Sequence, residues 1–292
     1  MIELTIFTPT FNRAYILPQL FDSLLAQTSK NFEWLIIDDG SSDNTKELIE
    51  DFKNKADFKI AYIYQENQGK HVAINTALNH IKTAYFATVD SDDFVQKNGI
   101  EIIEKKIISI GKEEKIIGIA SPINILNNKV LNKKSFDNNI VLTTNELKFK
   151  YGYDGELTLI FKTDLAKKFE YPVFKGEKFM LESLVFDRMD IDYKFLYIND
   201  SVVNAEYRED GLTAQGKKLM LNSPKGAALA YQQKMNNSKI PLNHRKIFAK
   251  NYWDYESLNH KNFISKLIKI KGLTLKIHIV IYFLNRIIKA NK

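Results

Sequence analysis

Residues 32–45 read Phe-Glu-Trp-Leu-Ile-Ile-Asp-Asp-Gly-Ser-Ser-Asp-Asn-Thr, and this stretch decides the fold class. Its apolar run is too short for a helix and stops at Asp38-Asp39-Gly40, so it reads as a buried strand ending in a turn. Ser42 and Asp43 then stand as caps for a helix through Leu48 and Phe52. Working outward, the pattern repeats. Glu3–Phe7 predicts a strand and Tyr15–Leu25 a helix with Ile16, Leu20 and Leu24 at four-residue spacing. Strands follow at Phe58–Tyr64, Tyr85–Val89 and Ile116–Ser121, with helices at Lys70–Ile81 and Gly99–Ile110 between them. Such alternation is the mark of βαβ units around a mainly parallel sheet flanked by helices, an α/β chain. Farther on the pattern loosens. Thr143-x-x-Glu146 has capping-box spacing, Leu157–Phe161 reads as a strand, Phe179–Met189 as a helix, and Tyr193–Ile198 with Val202–Tyr207 as a strand pair.

The chain of 292 residues is 45% apolar and 26% charged, a balance that excludes a disordered or collagen-like polymer. It has no cysteine, which rules out disulfides, thiolate metal sites and cysteine nucleophiles. The opening Met-Ile-Glu-Leu-Thr lacks the basic segment of a signal peptide, and no 18-residue apolar run predicts a spanning helix. The net charge of +7 is unevenly spread: residues 244–292 carry 11 Lys/Arg against Asp254 and Glu256. The boundary therefore falls near Pro241. Residues 1–243 form the α/β domain, with halves over about 1–120 and 121–243, and 244–292 form a basic helical appendage.

Ligands of open parallel sheets bind beyond the carboxyl ends of the strands. The chemically distinctive residues fall there: Thr8-Pro9-Thr10-Phe11-Asn12-Arg13, Asp38-Asp39-Gly40, Asn67-Gln68-Gly69-Lys70-His71 and Asp90-Ser91-Asp92-Asp93. Carboxylates gathered so closely repel unless a cation joins them, and a hard divalent ion with oxygen ligands suits the set. Dinucleotide, phosphate-loop and serine-hydrolase signatures are absent, and the five histidines make no H-E-x-x-H pair.

Taken in order and spacing, T-P-T-F-N-R, I-I-D-D-G-S-S-D-N-T and T-V-D-S-D-D resemble glycosyltransferase family 2, whose members have the GT-A fold. The likeness is strong over residues 1–95 and thins toward 213. It implies that Thr8, Pro9, Thr10 and Phe11 line the nucleotide with Arg13 nearby, and that Asp39 accepts the uracil imide N–H. Asp90 and Ser91 would face the ribose, and Asp92 with Asp90 would hold Mn²⁺ or Mg²⁺. Three departures stand out. The family's Glu-Asp pair before a helical Arg becomes Leu181-Glu182 before Arg188, so Glu182 is the expected general base, with Glu177 as competitor. The family's Arg before Asn75 is replaced by Ile74, leaving Lys70 or His71 as the diphosphate cation. The late metal-binding His is missing from Tyr207-Arg208-Glu209-Asp210-Gly211, where Asp210 or Glu209 would substitute.

The resemblance implies inverting transfer from a UDP-sugar to a saccharide hydroxyl. In the appendage, Leu273, Ile277, Val280, Ile281, Leu284 and Ile288 share one helical face, with His278, Asn285, Lys289 and Lys292 marking the opposite side. Lysines interleaved with such a face describe a helix lying on an anionic membrane surface, and packing against the catalytic domain or a sister subunit is the alternative. A lipid-linked acceptor in surface-polysaccharide synthesis, a cytoplasmic place on the inner face of the plasma membrane and a homo-oligomer are the corresponding expectations. A sugar-phosphate nucleotidyltransferase and a non-enzymatic basic module are the competing classes. Lysines outnumber arginines 37 to 5, which argues against nucleic acid.

Overall fold

The computed structural model describes residues 3–111, 113–126, 139–206, 208 and 212–290. The chain divides into two compact units, Met1–Tyr171 with Met189–Ala214, and Pro172–Arg188 with Gln215–Lys292. Pro241 lies inside the second unit.

The first unit is a mixed sheet of strands β1 (Leu4–Thr10), β2 (Phe32–Asp38), β3 (Lys59–Tyr64), β4 (Tyr85–Thr88), β5 (Phe94–Val95), β6 (Ile116–Ile125), β7 (Ile140–Leu142), β8 (Leu157–Lys162), β9 (Lys194–Tyr197) and β10 (Val203–Ala205). Its helices are α1 (Leu17–Leu25), α2 (Thr45–Lys55), α3 (Lys70–His80), α4 (Gly99–Ile110), α5 (Thr144–Phe149) and α6 (Thr163–Ala166). The order β3-β2-β1-β4 is parallel throughout, as the alternating sequence predicts. Beyond it β8 runs antiparallel between β4 and β6. Gly118 of β6 sits where an added Cβ would lie 2.1 Å from the Ile160 carbonyl oxygen, so only glycine lets these strands close.

The expected pair of late strands does not form. β9 and β10 do not bond to each other; both run parallel to β6, β9 along 116–120 and β10 along 123–125. Ser121 makes the crossing point: its hydroxyl donates to the Asp200 carbonyl and accepts the Val202 N–H. A single buried side chain settles the pairing, which strand periodicity does not encode.

The core of this unit lies under α1, α2 and α4. Leu17, Leu20, Phe21 and Leu24 of α1, Ile49 and Phe52 of α2 and Ile103 and Ile107 of α4 close over Ile6, Trp34 and Ile36. Phe21 and Phe52 stack with ring centroids 4.0 Å apart. Each such side chain contributes about 1.5–3 kcal/mol by leaving water. The capping box at Thr143 forms as its spacing predicts: Glu146 N donates to the Thr143 hydroxyl while the Glu146 carboxylate accepts the Thr143 N–H.

The second unit is helical, with α7 (Ser183–Met189) entering it from Pro172–Arg188, then α8 (Leu212–Asn222), α9 (Pro224–Asn236), α10 (Leu242–Leu258), α11 (Phe263–Ile268) and α12 (Leu273–Ala290). The helix expected over Phe179–Met189 begins only at Ser183. The preceding chain is held elsewhere: Phe179 N donates to the Ser223 hydroxyl, and Gly226 lets α9 approach Met180 and the Phe179 carbonyl closely. The basic appendage is not a detached tail. Ala249, Tyr252 and Trp253 of α10 form one core with Ile270, Leu275 and Ile279. The buried Lys266 ammonium lies 4.0 Å from the Trp253 ring centre and donates to Ser257. Lys269 pairs with Glu256, and Tyr282 and Arg286 both reach Asp254. The side of α12 expected to be polar thus carries Leu275 and Ile279 into the core. The aliphatic face read from the sequence points away from it.

Candidate active site

The parallel registers align the strand ends: Thr10 stands beside Asp38, and Asp38 beside Tyr64, so β1, β2 and β3 finish on one row. Asp38 itself is fully buried. Its carboxylate accepts the Ser41 N–H at 2.8 Å and the Tyr62 hydroxyl at 2.7 Å, and burial with that bond raises the Tyr62 pKa. Asp38 therefore builds the turn, and Asp39 is the acid that faces the loop after β3.

Asp39 is held by three donors. Gln65 Nε2 lies 2.7 Å and Gln68 N 2.9 Å from its Oδ1, and Gly69 N lies 2.7 Å from its Oδ2. Thr76 of α3 fixes the Gln65 amide by donating to its Oε1. Gly40, at φ +86°, makes this possible: a Cβ there would meet Asn67 N at 2.7 Å. A carboxylate has about four lone-pair sites, so three bonds orient Asp39 and leave capacity for one more donor. Gln65 is not singled out by the sequence, since polar residues after a strand are commonplace, and Gln68 contributes its backbone N–H, which any residue there would supply.

On β1, Thr8 is buried and its hydroxyl accepts the Trp34 indole N–H at 3.0 Å, so that side chain serves the core. Pro9 is buried, and Thr10 has a buried hydroxyl with no hydrogen-bond partner. Phe11 is exposed. Asn12 takes a positive φ and ties the loop to the next turn by accepting from Ser42 N and donating its own N–H to the Ser41 hydroxyl. The Arg13 and Arg208 guanidinium groups both lie over the Tyr15 ring.

Of the two expected cations on α3, Lys70 and His71, the structure separates the roles. Lys70 Nζ is 2.8 Å from the Asp90 carboxylate. His71 is buried, its Nδ1 lacks a hydrogen-bond partner, and burial pushes its pKa down while Asp39 opposes this. A neutral buried imidazole is a poor diphosphate cation, so Lys70 is the charged group here. Asn75, one turn on, uses its amide to bracket the Tyr171 backbone: Nδ2 donates to the Tyr171 carbonyl and Oδ1 accepts the Tyr171 N–H.

After β4, Asp90, Ser91, Asp92 and Asp93 form a turn closed by Asp93 N donating to the Asp90 carbonyl. Ser91 is buried and Asp92 half-buried. Burial raises the Asp93 pKa to about 8; Asp90 and Asp92 add to the rise and Lys70 offsets part of it. Lys70 Nζ lies 2.8 Å from each oxygen of the half-exposed Asp90 carboxylate. Three carboxyl groups thus crowd one turn, with the Lys70 ammonium against Asp90. Among the described residues no group of three or more His, Asp or Glu gathers as a cation site by itself. A magnesium-like ion commonly takes only one or two carboxylates and completes its shell with phosphate oxygens and water, and Asp90 and Asp92 fit that pattern. Asp210 and Glu209, the expected further ligands, lie outside the described residues.

In the second unit the two candidate bases differ sharply. Glu177 is buried, and its two oxygens accept the Lys225 and Gly226 N–H groups at 2.9 Å each, capping α9. Glu182 lies exposed in the turn before α7, its carbonyl accepting the Val185 N–H. Arg188, the reference point for both, donates to Gln233 at 2.8 Å.

Comparison with known proteins follows the same division of the chain. The sequence model described as glycosyl transferase family 2 matches residues 5–152. Glycosyltransferase GlyA of Streptococcus pneumoniae is 38% identical over 106 residues, 36% of this chain and 15% of that protein. An uncharacterized glycosyltransferase of Rickettsia felis is 39% identical over 100 residues, 34% of this chain and 16% of the relative. The chain thus spans under a fifth of the length of these two relatives. Among solved structures, S. aureus TarS 1-349 in complex with UDP-GlcNAc superposes with a TM-score of 0.60 at 19% identity, covering 87% of this chain and 72% of that one. The mannosyltransferase PcManGT of Pyrobaculum calidifontis, in complex with GDP-Man and Mn²⁺, gives 0.59 at 15% identity over 98% of this chain and 80% of its own.

Proposed function

This chain belongs to glycosyl transferase family 2 and has the GT-A fold, and from that premise we propose that it transfers a sugar from a UDP-sugar to a saccharide hydroxyl with inversion. The observation that carries the proposal is the pairing of two acid sites at the ends of parallel strands. Asp39 is oriented by three donors with room for one more, and Asp90, Asp92 and Asp93 crowd one turn with Lys70 against Asp90. A uracil imide N–H suits the first, because an ionised carboxylate accepts from it and would meet no such donor on cytosine. A diphosphate brought by a divalent cation suits the second.

Asp92 and Asp90 would hold Mn²⁺ or Mg²⁺, which supplies charge neutralisation for the departing diphosphate. Lys70, already beside Asp90, adds a protein cation on the same side. Phe11 offers an exposed ring beside the nucleotide, with Arg13 following in the same loop. Glu182 takes the acceptor proton as the hydroxyl attacks the anomeric carbon. The capping role of Glu177 supports that choice, since protonating or moving it would uncap α9. The acceptor is a saccharide carried on a lipid, and the enzyme works peripherally at the inner membrane face. The basic C-terminal helices support this reading, and among the described residues no helix is long and apolar enough to cross a membrane.

Titration calorimetry with UDP tests the reading. Binding is expected with Mn²⁺, to weaken by roughly a hundredfold (about 2.7 kcal/mol) in EDTA, and to weaken as much in Asp92→Ala. Equal UDP affinity with and without metal would overturn the assignment of Asp90 and Asp92.

A further inference from the structure

We propose that the outward face of α11 and α12 is a docking surface for an anionic lipid bilayer. The proposal deepens the reading of a lipid-borne acceptor and rests on it for its purpose, while the binding itself involves no sugar chemistry.

The observation is a helix that is apolar on two opposite sides. At about 100° per residue, Leu275, Ile279, Tyr282 and Phe283 fall on one side of α12 and pack into the core shared with Trp253. Ile277, Ile281, Leu284 and Ile288 fall on the other, each more than 50% exposed. Leu273, at 74% exposed, opens the same row, and α11 adds Ile264 and Ile268 at 68% and 71%. Surface helices ordinarily have one apolar stripe and a polar back. Single exposed aliphatics are common, but a row of five along one side of α12, with two more exposed on α11 just before it, marks an interaction site.

Charge selects the occupant. No acidic residue follows Glu256 in the chain. The two acids of α10 nearest the patch are taken, Asp254 by Tyr282 and Arg286 and Glu256 by Lys269. Lys261 and Lys271 are exposed at the ends of α11, and Lys276 flanks the row on α12. A second copy of this face would set lysine against lysine. An anionic headgroup layer satisfies the lysines while the isoleucines and leucines enter the acyl boundary. Because the inner side of α12 is already packed, the face is preformed. Binding does not have to supply the ordering free energy that a disordered amphipathic segment spends on folding.

The experiment uses the full chain, co-sedimented with vesicles of phosphatidylglycerol and phosphatidylcholine and, separately, of phosphatidylcholine alone. Two double variants, Ile277→Glu with Ile281→Glu and Leu284→Glu with Ile288→Glu, are run beside it. Truncation is unsuitable, since removing α12 would strip Leu275 and Ile279 from the core. Binding to phosphatidylglycerol vesicles is expected to exceed binding to phosphatidylcholine by roughly tenfold or more. Each double variant should lose at least about tenfold of that binding, with thermal unfolding unchanged. Wild-type protein that ignores phosphatidylglycerol vesicles, or variants that bind them as well as wild type, would overturn the proposal. So would a dimer in light scattering that the variants convert to monomer, which would give the face to a second copy. UDP calorimetry on the same preparations separates the two readings: loss of nucleotide binding would sink the transferase proposal and leave the vesicle result standing.

Discussion

In the first unit three aspartates, Asp90, Asp92 and Asp93, stand within one turn, and Lys70 is the lysine that meets them. In the second unit each buried acid has its own donor. Asp187 pairs with Lys234 at 2.8 Å, Glu256 with Lys269 at 2.8 Å, and Glu177 takes two N–H groups of α9. The acids of the second unit are buried and those of the turn only half-buried, yet it is the turn that sets three carboxyl groups beside one another. A buried carboxylate is tolerated when hydrogen bonds or a cation replace the lost water. Where the protein supplies the replacement, the acid is part of the framework. Where several acids crowd one another, a bound cation would supply the remaining charge, as proposed for Asp90 and Asp92. On the proposed reading, that difference would separate structural from chemical acids in a chain whose sequence offers 35 of them.

The comparison is most exposed to failure at the two glutamates of the second unit. Glu182→Gln is expected to lower turnover by about 10²–10⁴-fold, the range of a general base, without moving the thermal midpoint. Glu177→Gln should do the reverse: turnover within a few-fold of wild type, and stability lowered by about 1–2 kcal/mol through the weakened cap. Steady-state kinetics beside thermal unfolding decides it; a collapse of turnover in Glu177→Gln alone would transfer the base to that residue.

Asp187→Ala probes the paired class. It leaves the Lys234 ammonium, 13% exposed, without its carboxylate. Breaking such a pair costs about 3–5 kcal/mol when the remaining charge cannot reach water. Chemical denaturation should show a loss of that order, with UDP affinity unaltered. A variant as stable as wild type would mean that Lys234 escapes to solvent and that the distinction between paired and crowded acids is too coarse.

The smallest effect concerns Glu146. The Thr143 N–H holds its carboxyl below the ordinary value of 4.5; burial opposes this, and the Thr143 hydroxyl with Lys194 and Lys150 adds to the lowering. A depressed acid contributes stability that is fully present above its unfolded pKa and lost as pH falls through the folded one. Acid unfolding of wild type should therefore steepen below about pH 4.5, by about 0.5–1 kcal/mol attributable to the capping box. Glu146→Gln should flatten that part of the profile while leaving stability near neutrality lower by a similar amount. An unchanged acid limb would remove Glu146 from the residues that set it.

Local pattern by itself determined the four parallel strands, their intervening helices, the Thr143 capping box and the acid-rich strand ends. Each rests on neighbours within a few residues: period, turn chemistry and caps are written where they act. The ordered motifs also made the family legible, since T-P-T-F-N-R, D-D-G-S-S and D-S-D-D lie at the ends of strands the pattern already placed. Tertiary structure decided what those residues do. Thr8 turns to Trp34, burial pushes the His71 pKa down, and Gln65 and Gln68 clamp Asp39. None of this is local, because each partner lies on another strand or loop brought near by the sheet. The same holds in the helical unit, where Glu177 and Glu182 look alike in sequence and Glu177 is buried against the start of α9 while Glu182 is exposed. The 3.6-residue period found the aliphatic face of α12 and missed its packed one. A period reports which residues share a side, and only the neighbours of that side decide whether it meets protein or solvent.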